Sequence, residues 1–598
     1  MKQKNIRNFS IIAHIDHGKS TLADRIMEQT HTINDREKKP QLLDDMVVEQ
    51  AHGITVKSRT VRNYYDADDG ERYEYNFIDT PGHVDFSYEV SKSLAASDGA
   101  VLLVDATQGV QAQTVANLRI AKRNKLTIVP VINKIDNKAA DILRTEKQIR
   151  NLDPKFAKLN ILKISAKTGQ GVHQVLEAIR TKIPAPEGDK NLPLKALVFD
   201  YLYDPFKGIV AYIRVVDGQV KKDDNVLLMA EETKFSVNEL GYFTPNMTAK
   251  DSLITGDVGY IITGLKDPRL VRVGDTITSI TNPTKEALPG YQAVKSTVFA
   301  GFYPKNDNYN DLKAAMEKLT LNDSSFHYEL ENSEALGIGF RCGFLGMLHL
   351  QIIRERLKNE YNLEVLTTAP NVTYHVHLKD QFDPIVVNNP INFPDFSKID
   401  FVEEPFVKVK ITTPNELLNE VMKLASQHKG SLLDMGNETD LIVIIYKIPI
   451  SEIAFNFFNQ LKSVSHGYAT LDTTFLGYEA ADLVKVEVDI NYAPIDALSF
   501  VIHRTDAPKL TQELVKKLKY TIPHRLYPTP VQAIVEGKSI ARVDVPPLRK
   551  NAAVSGESQS ISKKQALLRR QSVNKRQAAR NSIELPQEVF NTILELDL

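Results

Sequence analysis

The sequence of 598 residues contains no tryptophan, one cysteine and no excess of either charge. Cys342 cannot form a disulfide within the chain, and its apolar neighbours in GFRCGFLGMLH indicate a buried small residue rather than a nucleophile. Lys and Arg number 74 and Asp and Glu 75, so the chain has no overall positive field that would attract nucleic acid. Any affinity for nucleic acid would therefore need local basic patches.

Long apolar runs are also missing. The longest ones, AVLLVDA and LIVIIYKIPI, fall well short of the roughly 18 residues that indicate a membrane span. The N-terminal segment MKQKNIRNFSII has no extended apolar region or cleavage site, so we expect no secretory signal. With 42% hydrophobic and 25% charged residues, the composition favours a cytoplasmic protein of several globular domains.

The first half of the chain shows two different patterns. Residues 1–185 alternate short β-rich runs with helical stretches, which is typical of a parallel sheet covered by helices. Three prolines in PAPEGDKNLP, residues 184–193, indicate a linker. Residues 190–282 combine strand-like runs with Gly turns and lack a long helical pattern, which favours a β-barrel.

The second half predicts small α+β domains. The order strand, helix, strand, strand, helix, strand can be traced in residues 290–370 and 404–482, on either side of a connector at 371–403. Residues 483–598 give a further α+β segment that carries a basic tail. Between Arg549 and Arg580 this tail holds nine Lys or Arg residues against one acid.

One apolar stripe lies inside the first of these α+β domains. Leu345, Leu348 and Ile352 recur at helical spacing, which predicts a helix face directed into the core of the domain. We assign no chemistry to these three residues.

A phosphate-binding turn is predicted near the N-terminus. The segment AHIDHGKS, residues 13–20, follows an apolar strand, opens a helix and fits G-x-x-x-x-G-K-[ST], except that Ala13 replaces the first glycine. Such a turn points backbone N–H groups at phosphates, its lysine reaches the β and γ oxygens, and its hydroxyl ligates magnesium. Taken alone, the motif also fits a Gly-turned helix start without a ligand. The candidate phosphate-binding residues are Asp16, His17, Gly18, Lys19, Ser20 and Thr21, with Ser20 also a magnesium ligand.

The segment DTPGH follows the strand-like run YNFI. At such a strand end Asp79 can hold magnesium through water, and the N–H of Gly82 can sense a γ-phosphate. A loop histidine is more often a structural hydrogen-bonding group, but His83 directly follows a metal-binding position. We therefore interpret His83 as the residue that positions the attacking water, since in-line attack depends on orientation more than on a strong base.

Two later strand ends predict specificity for guanine. In NKID, after the strand LTIVPVI, the carboxylate of Asp136 can accept hydrogen bonds from the N1–H and the exocyclic amine of guanine, donors that adenine lacks. N-K-x-D alone also occurs as a solvated turn. In SAK, backbone N–H groups can meet the guanine oxygen while the lysine flanks the ring. The candidate residues here are Asn133, Lys134, Asp136, Ser165, Ala166 and Lys167.

A switch is predicted at Gly53-Ile54-Thr55, in a polar region between the first helix and the strand that contains Tyr75. If the Thr55 hydroxyl ligates magnesium only while the γ-phosphate is present, hydrolysis releases the loop. A partner that contacts the loop can then respond to its order-to-disorder transition.

Together AHIDHGKST, GIT, DTPGH, NKID and SAK resemble the translational GTPase family, which includes elongation factors Tu and G. The resemblance implies that His83 is catalytic and that Ile15 and Ile54 form an apolar gate beside it. It also implies that GTP or GDP with Mg²⁺ is bound, and that the ribosome is the activating partner.

Four segments further along resemble the LepA, or elongation factor 4, branch of that family: GFRCGFLGMLHLQIIRERL, PIDALSFVIHR, IPHRLYPTPVQAIV and ELPQEVFNTIL. The resemblance covers essentially the whole chain and implies a multidomain α/β, β-barrel and α+β fold. Its parts would be a P-loop GTPase domain, a translation-factor barrel, two ferredoxin-like domains and a branch-specific C-terminal domain. It implies a monomeric factor that binds 70S ribosomes with GTP and promotes back-translocation of tRNAs, supporting fidelity.

Two positions depart from that branch. His52 stands where relatives usually have arginine, beside the predicted switch, and segment 551–566 replaces a Tyr-Gly-Gly-Asp segment and a denser basic run. Contact with tRNA through the tail is thereby put in question. We interpret His503, Arg504, Arg549 and Lys550 as RNA contacts, although a basic stretch is also typical of a solvated helix face.

Three alternatives stay open at this point. The chain fits another ribosomal GTPase, BipA-like or translocase-like, although PIDALSF and ELPQEVF favour LepA. It also fits a GTP-gated assembly factor, for which hydrolysis resets affinity for immature ribosomal particles. The basic tail, finally, suits peripheral contact with the anionic cytoplasmic face of the cell membrane.

Overall fold

The computed structural model describes most of the chain. The described residues are 2–33, 41–44, 46, 48–49, 55, 57–81, 87–267, 270–289, 296–305, 308–323, 325–333, 336–368, 370–438, 441–453, 457–465, 469–525, 528–547 and 585–594.

The N-terminal domain is built on a six-stranded sheet with the order β2-β3-β1-β4-β5-β6. Only the β2–β3 pair is antiparallel, and the other pairs are parallel. Helices cover the sheet over two apolar clusters, as predicted from the alternating pattern. The strands are β1 (Ile6–Ala13), β2 (Thr60–Asp66), β3 (Arg72–Ile78), β4 (Gly99–Asp105), β5 (Thr127–Asn133) and β6 (Leu162–Lys163). The helices are α1 (Lys19–Gln29), α2 (Ser87–Ala95), α3 (Ala112–Arg123), α4 (Ile142–Leu152) and α5 (Val172–Lys182).

The parallel strands fix where a site can form. The carboxyl ends of β1, β4 and β5 meet at one edge of the sheet, next to the end of β3, and the loops that leave them carry the predicted motifs. This is the edge at which open α/β sheets bind ligands.

The second domain is an antiparallel eight-stranded sheet, which we call the barrel, with the order β11-β10-β16-β7-β8-β15-β12-β13. Every strand of this sheet except β13 contributes to one apolar core, which is the arrangement of the predicted β-barrel. A two-stranded sheet, β9 with β14, completes it. The strands are β7 (Lys195–Asp204), β8 (Gly208–Asp217), β9 (Gln219–Lys221), β10 (Asn225–Leu228), β11 (Thr233–Ser236), β12 (Glu239–Phe243), β13 (Met247–Lys250), β14 (Ser252–Ile254), β15 (Val258–Ile262) and β16 (Thr276–Ser279).

Buried ion pairs fix the barrel against the N-terminal domain. Arg62 of β2 is almost fully buried, and its Nη2 lies 3.1 Å from Oε1 of Glu74 and 3.1 Å from Oδ1 of Asp257, which belongs to the barrel. Its guanidinium also stacks on the ring of Tyr242 at 4.2 Å. Removing one partner of such a pair would leave a buried charge uncompensated. The contact therefore favours one relative orientation of the two domains.

The first ferredoxin-like domain has the predicted βαββαβ order and an antiparallel sheet in the order β18-β19-β17-β20. Cys342 is buried in its core, as expected from its apolar neighbours, and burial raises the pKa of its thiol. The elements are β17 (Val298–Pro304), α6 (Tyr309–Asn322), β18 (His327–Ser333), β19 (Gly337–Phe344), α7 (Met347–Tyr361) and β20 (Val365–Thr367).

The prediction that Leu348 and Ile352 face the core of this domain is wrong. Residues Leu350, Ile353 and Leu357 of α7 fill the core. Ile352 and Leu348 lie on another side of the helix and pack against the N-terminal domain. Both faces of α7 are apolar, so helical spacing alone selects neither face.

The second ferredoxin-like domain shares its sheet with the connector. Its order is β22-β21-β23-β25-β24, with β26 on the other side of β23. The predicted division at residue 404 falls inside β23, whose residues 399–403 pair with β21 of the connector, so this boundary is corrected. The elements are β21 (Tyr374–Leu378), β22 (Ile385–Val387), β23 (Ile399–Pro414), α8 (Leu418–Gln427), β24 (Ser431–Glu438), β25 (Leu441–Pro449), α9 (Ile450–Glu452), α10 (Phe458–Val464) and β26 (Thr470–Ala481).

The C-terminal domain is an antiparallel sheet with the order β28-β27-β30-β31, in which β29 also pairs with β27. Helices α11 and α12 share its apolar core. The elements are β27 (Leu483–Ile490), β28 (Ala493–Pro494), β29 (Phe500–His503), α11 (Ala507–Thr521), β30 (Thr529–Val535), β31 (Lys538–Val545) and α12 (Gln587–Leu594). Among the described residues, no helix combines the length and apolar character needed to span a membrane.

Candidate nucleotide-binding site

The phosphate-binding turn lies between the end of β1 and the start of α1. Asp16 and Gly18 have positive φ angles of 62° and 93°, which bend the backbone back over the strand end. A Cβ on Gly18 would lie 2.4 Å from Nδ2 of Asn133, so glycine is required both for its φ angle and for close approach. Ser20 and Thr21 follow in the first turn of α1, where backbone N–H groups have no partner within the helix.

Lys19 connects two other predicted site residues. Its Nζ lies 2.7 Å from Oγ1 of Thr55 and 2.7 Å from Oδ1 of Asp79, and all three side chains are buried. Thr55 in turn donates a hydrogen bond of 2.9 Å to Oδ1 of Asp44. The structure thus brings the threonine of the predicted switch, the lysine of the turn and the aspartate at the end of β3 into one cluster.

The donor set of this cluster fits magnesium. Burial raises the pKa of Asp79 and the Lys19 ammonium opposes that rise, so the ionised carboxylate depends on a nearby cation. The hydroxyl of Thr55 and the carboxylates of Asp79 and Asp44 are hard oxygen donors, which Mg²⁺ prefers. The described residues contain no cluster of three or more His, Cys, Asp or Glu side chains suited to a metal. A magnesium ion here would therefore rely partly on phosphate oxygens.

Asn133 joins two of the predicted loops. Its Nδ2 donates to the carbonyl of His17 at 2.9 Å, and its Oδ1 accepts the N–H of Ala166 at 2.9 Å. Asn133 is buried and thereby fixes the phosphate-binding turn relative to the SAK loop. Its position between the two loops indicates a positioning role.

Lys134 covers the turn from the other side. With a φ angle of 59°, it directs its Nζ to the carbonyl of Asp16 at 2.6 Å and to Oδ2 of Asp105 at 2.8 Å. Burial of Asp105 opposes ionisation, but hydrogen bonds from Lys134 and Thr107 hold the pKa of this carboxyl below its ordinary value. The side chain of Lys134 thus supports the backbone of the turn.

Asp136 is solvent-exposed beside the SAK loop. A hydrogen bond with Ser165 lowers the pKa of Asp136, and the charges of Lys167 and Lys134 lower it further. The carboxylate is therefore ionised at neutral pH and available to accept hydrogen bonds from a base.

Arg25 supports the SAK loop and was not predicted from the sequence. From α1 its Nε donates to the carbonyl of Ala166 and its Nη2 to that of Lys167, both at 3.0 Å. Nothing in the motif marks this arginine, because the contact joins positions about 140 residues apart.

The side chain of His17 faces the protein interior. Its Nδ1 accepts the N–H of Asp105 at 3.2 Å, and Nε2 is buried without a hydrogen-bond partner among the described residues. Burial lowers the pKa of His17 from 6.5 to about 4, so the imidazole is neutral at physiological pH. Any contact of His17 with a phosphate would therefore involve its backbone and not its side chain.

Protonation of His17 should therefore cost stability. We expect the free energy of unfolding of the wild-type protein to fall, relative to His17→Asn, as the pH drops from 6.5 toward about 4. In that window the unfolded chain binds a proton that the folded chain resists, at up to about 1.4 kcal/mol for each pH unit. The pKa of Asp24, raised to about 6 by burial, gives the opposite trend, but it does so equally in both proteins. Urea unfolding of both proteins at several pH values measures the difference, and identical pH dependence would refute it.

Several predicted residues are not among those described. Gly82, His83, Ile54, Arg549 and Lys550 lie outside the described residues, as do His52 and segment 551–566. Ile15 is described, and it packs with Val48, Leu348 and Ile352.

The two described residues of the predicted RNA contact have acidic neighbours. Nε2 of His503 lies 3.0 Å from Oε1 of the buried Glu404. Arg504 donates from Nε to Asp482 at 2.9 Å and from Nη2 to Glu536 at 2.6 Å. An RNA phosphate would have to compete with these carboxylates, and the assignment stays a prediction.

Four family profiles match the chain. They are the elongation factor Tu GTP-binding domain at residues 4–185, elongation factor Tu domain 2 at 208–278, the elongation factor G C-terminus at 401–488 and the GTP-binding protein LepA C-terminus at 490–595. Together with the site above, these matches define a translational GTPase.

Full-length relatives narrow the class. Elongation factor 4 2 of Lactiplantibacillus plantarum is 64% identical over 596 residues, covering 100% of both chains. Elongation factor 4 of Bacillus subtilis is 49% identical over 599 residues, covering 100% of this chain and 98% of the relative, and that of Aquifex aeolicus is 48% identical over the full length of both. The chain belongs to the elongation factor 4 (LepA) family and is a GTPase.

A solved structure agrees on the fold. A crystal structure of a Thermus thermophilus protein superposes with a TM-score of 0.57 at 18% identity, covering 80% of this chain and 97% of the other. At that identity the likeness concerns the fold alone.

Proposed function

We propose that the protein is a ribosome-dependent GTPase that binds 70S ribosomes with GTP and promotes back-translocation of tRNAs, supporting the fidelity of protein synthesis. The observation that carries this proposal is the contact of Lys19 with both Thr55 and Asp79. It joins the phosphate-binding turn to the predicted switch in a chain whose relatives are elongation factors 4.

The nucleotide would be held by five segments at one edge of the sheet. The turn at residues 13–20 and the start of α1 would surround the phosphates, while Asp136 and the SAK loop would bind guanine. Ser20 and Thr55 would ligate Mg²⁺ directly and Asp79 through water, and the ion would neutralise charge on the β- and γ-phosphates. Lys19 would then exchange its carboxylate partner for phosphate oxygens.

The chemical step is in-line attack of water on the γ-phosphate. His83 would orient that water, with Ile15 and Ile54 as the apolar gate that restricts its approach. Loss of the γ-phosphate would remove a partner of the magnesium ion that Thr55 ligates. The segment around Thr55 could then be released.

The ribosome and its bound tRNA are the partners we propose, and the protein would act on them as a cytoplasmic monomer. The C-terminal domain, through its basic tail and residues such as His503 and Arg504, would approach the tRNA. The same tail would allow peripheral contact with anionic membrane, which flotation with anionic vesicles at low salt would reveal.

Sedimentation with ribosomes tests the partner. We expect the protein to bind 70S ribosomes with a non-hydrolysable GTP analogue and to dissociate with GDP. Toeprinting of post-translocation complexes should show the ribosome moved back by one codon. Lys19→Ala, which removes a phosphate contact, should lose both effects. Preference for isolated subunits, without movement on the messenger, would favour the assembly factor instead.

A further inference from the structure

Lys57 lies two residues after Thr55 and reaches from the N-terminal domain into two others. Its Nζ donates hydrogen bonds of 3.2 Å to the carbonyl of Tyr201, in β7 of the barrel, and to that of Asn322. Asn322 is the last residue of α6 in the first ferredoxin-like domain. The last carbonyls of a helix lack intrahelical partners and carry the negative end of its dipole, so an ammonium group suits this position.

Asn322 already connects the barrel to the first ferredoxin-like domain. Its Oδ1 accepts the N–H of Tyr203 at 3.3 Å. Lys57 therefore binds at the point where β7 and the end of α6 meet, and it adds the N-terminal domain to that contact.

Glu49 links Lys57 to the rest of the predicted switch. The side chain of Glu49 is fully buried, and its two oxygens accept the N–H groups of Met46 and Lys57, each at 3.1 Å. The backbone N–H groups of Met46 and Lys57 are thus both bound by the carboxylate of Glu49. Thr55 lies between them, so displacing Thr55 strains the attachment of Lys57.

The same segment has a second contact with the first ferredoxin-like domain. Val48 is buried against Ile352 and Leu348 of α7, together with Ile15 of the phosphate-binding turn. Three described residues of this part of the chain therefore contact other elements: Thr55 contacts Lys19, Val48 contacts α7, and Lys57 contacts β7 and α6.

Strand β7 also contacts the helix that follows the DTPGH motif. Lys92 of α2 is buried, forms an ion pair with Glu89 and lies 3.5 Å from Oδ1 of Asp200. Asp200 immediately precedes Tyr201, the carbonyl partner of Lys57. Lys57 and Lys92, which follow the two motifs expected to respond to the γ-phosphate, thus contact adjacent residues of one strand.

We infer that Lys57 is a positioning residue that couples the state of Thr55 to the arrangement of the barrel and the first ferredoxin-like domain. This inference rests on the proposed function, in which Thr55 responds to the γ-phosphate. A nucleotide can shift a domain arrangement only through contacts that differ between its states. The bonds from Lys57 to Tyr201 and Asn322 would be such contacts, because Lys57 lies two residues from Thr55 and forms them only while its backbone stays where Glu49 holds it.

Hydrogen exchange measures this coupling in the full-length protein. In the wild type we expect peptides covering β7 and the end of α6 to exchange about tenfold more slowly with a non-hydrolysable GTP analogue than with GDP. Lys57→Met keeps the length of the side chain but removes its charge and donors, so it should abolish that difference. Lys57→Arg retains donors and should preserve part of it.

Lys182→Met is the matched control. Lys182 also donates to a carbonyl, that of Asn160 at 3.4 Å, but both residues lie within the N-terminal domain. This variant should keep the wild-type response. GTP affinity is also measured for each variant. It shows whether a lost exchange response reflects lost coupling between the domains or weaker binding of the nucleotide.

Two results would overturn the inference. One is an undiminished nucleotide response in Lys57→Met, and the other is a wild type whose β7 and α6 peptides do not respond to nucleotide. Thr55→Ala separates either failure from failure of the proposed function. If that variant loses ribosome-stimulated turnover, Thr55 is still the switch residue and only the role of Lys57 is refuted. Normal stimulated turnover would refute the assignment of Thr55 as the switch residue.

Discussion

Asp136→Asn should weaken binding of GTP by about a hundredfold or more and create binding of xanthosine triphosphate. The Asp136 carboxylate accepts hydrogen bonds, and the lowered pKa keeps it ionised at neutral pH. Asparagine would face the exocyclic amine of guanine with a second donor, but it can pair with the oxygen that xanthine carries at that position. Competition of the two nucleotides against a fluorescent GTP analogue measures the exchange of preference.

Asp141→Asn is the control for this change of charge. Asp141 lies five residues further along and accepts the N–H of Arg144 as the N-cap of α4. Asparagine is an equally good N-cap, so this variant should bind GTP normally. Unchanged preference for GTP in Asp136→Asn would mean that NKID is not the base-recognition segment.

His83→Ala should reduce ribosome-stimulated turnover about a thousandfold while leaving GTP affinity close to that of the wild type. The imidazole is expected to act on the attacking water, which is present only in the reacting complex, so its loss affects the rate and not ground-state binding. Single-turnover hydrolysis with saturating 70S ribosomes, paired with equilibrium titration of nucleotide, separates the two quantities.

His173→Ala provides the comparison. This histidine of α5 is half-exposed, contacts Tyr65 and Asp68, and belongs to the same domain. It should retain stimulated turnover. Wild-type turnover in His83→Ala would instead mean that a group other than His83 orients the attacking water.

Local sequence patterns predicted the elements that carry the site. β-Rich runs alternating with helices indicated the parallel sheet, and Gly18 marked a turn whose positive φ angle and contact with Asn133 require glycine. The fold class is confirmed by the family profiles and by the elements themselves.

What the sequence left out depends on contacts between distant parts of the chain. Asp44 beside Thr55 and Arg25 beneath the SAK loop are ordinary charged residues in their own segments. His17 belongs to the phosphate-binding motif, yet its side chain lies in the interior, which a motif cannot indicate.

The corrections have the same physical origin. The apolar positions Leu348 and Ile352 do form a helical stripe, but the surface they bury belongs to the N-terminal domain. The connector has strands of its own, and its apparent end falls within β23 because this one long strand pairs with β21 of the connector and with β25 and β26 of the domain that follows. Periodicity shows that a face is buried and does not show what covers it.

GTP hydrolysis by the purified full-length protein, measured alone, with 70S ribosomes and with isolated subunits, tests the central claim most directly. Slow turnover alone and strong stimulation by 70S ribosomes is the predicted result. Stimulation by subunits only, or by neither, would contradict a ribosome-dependent translation factor.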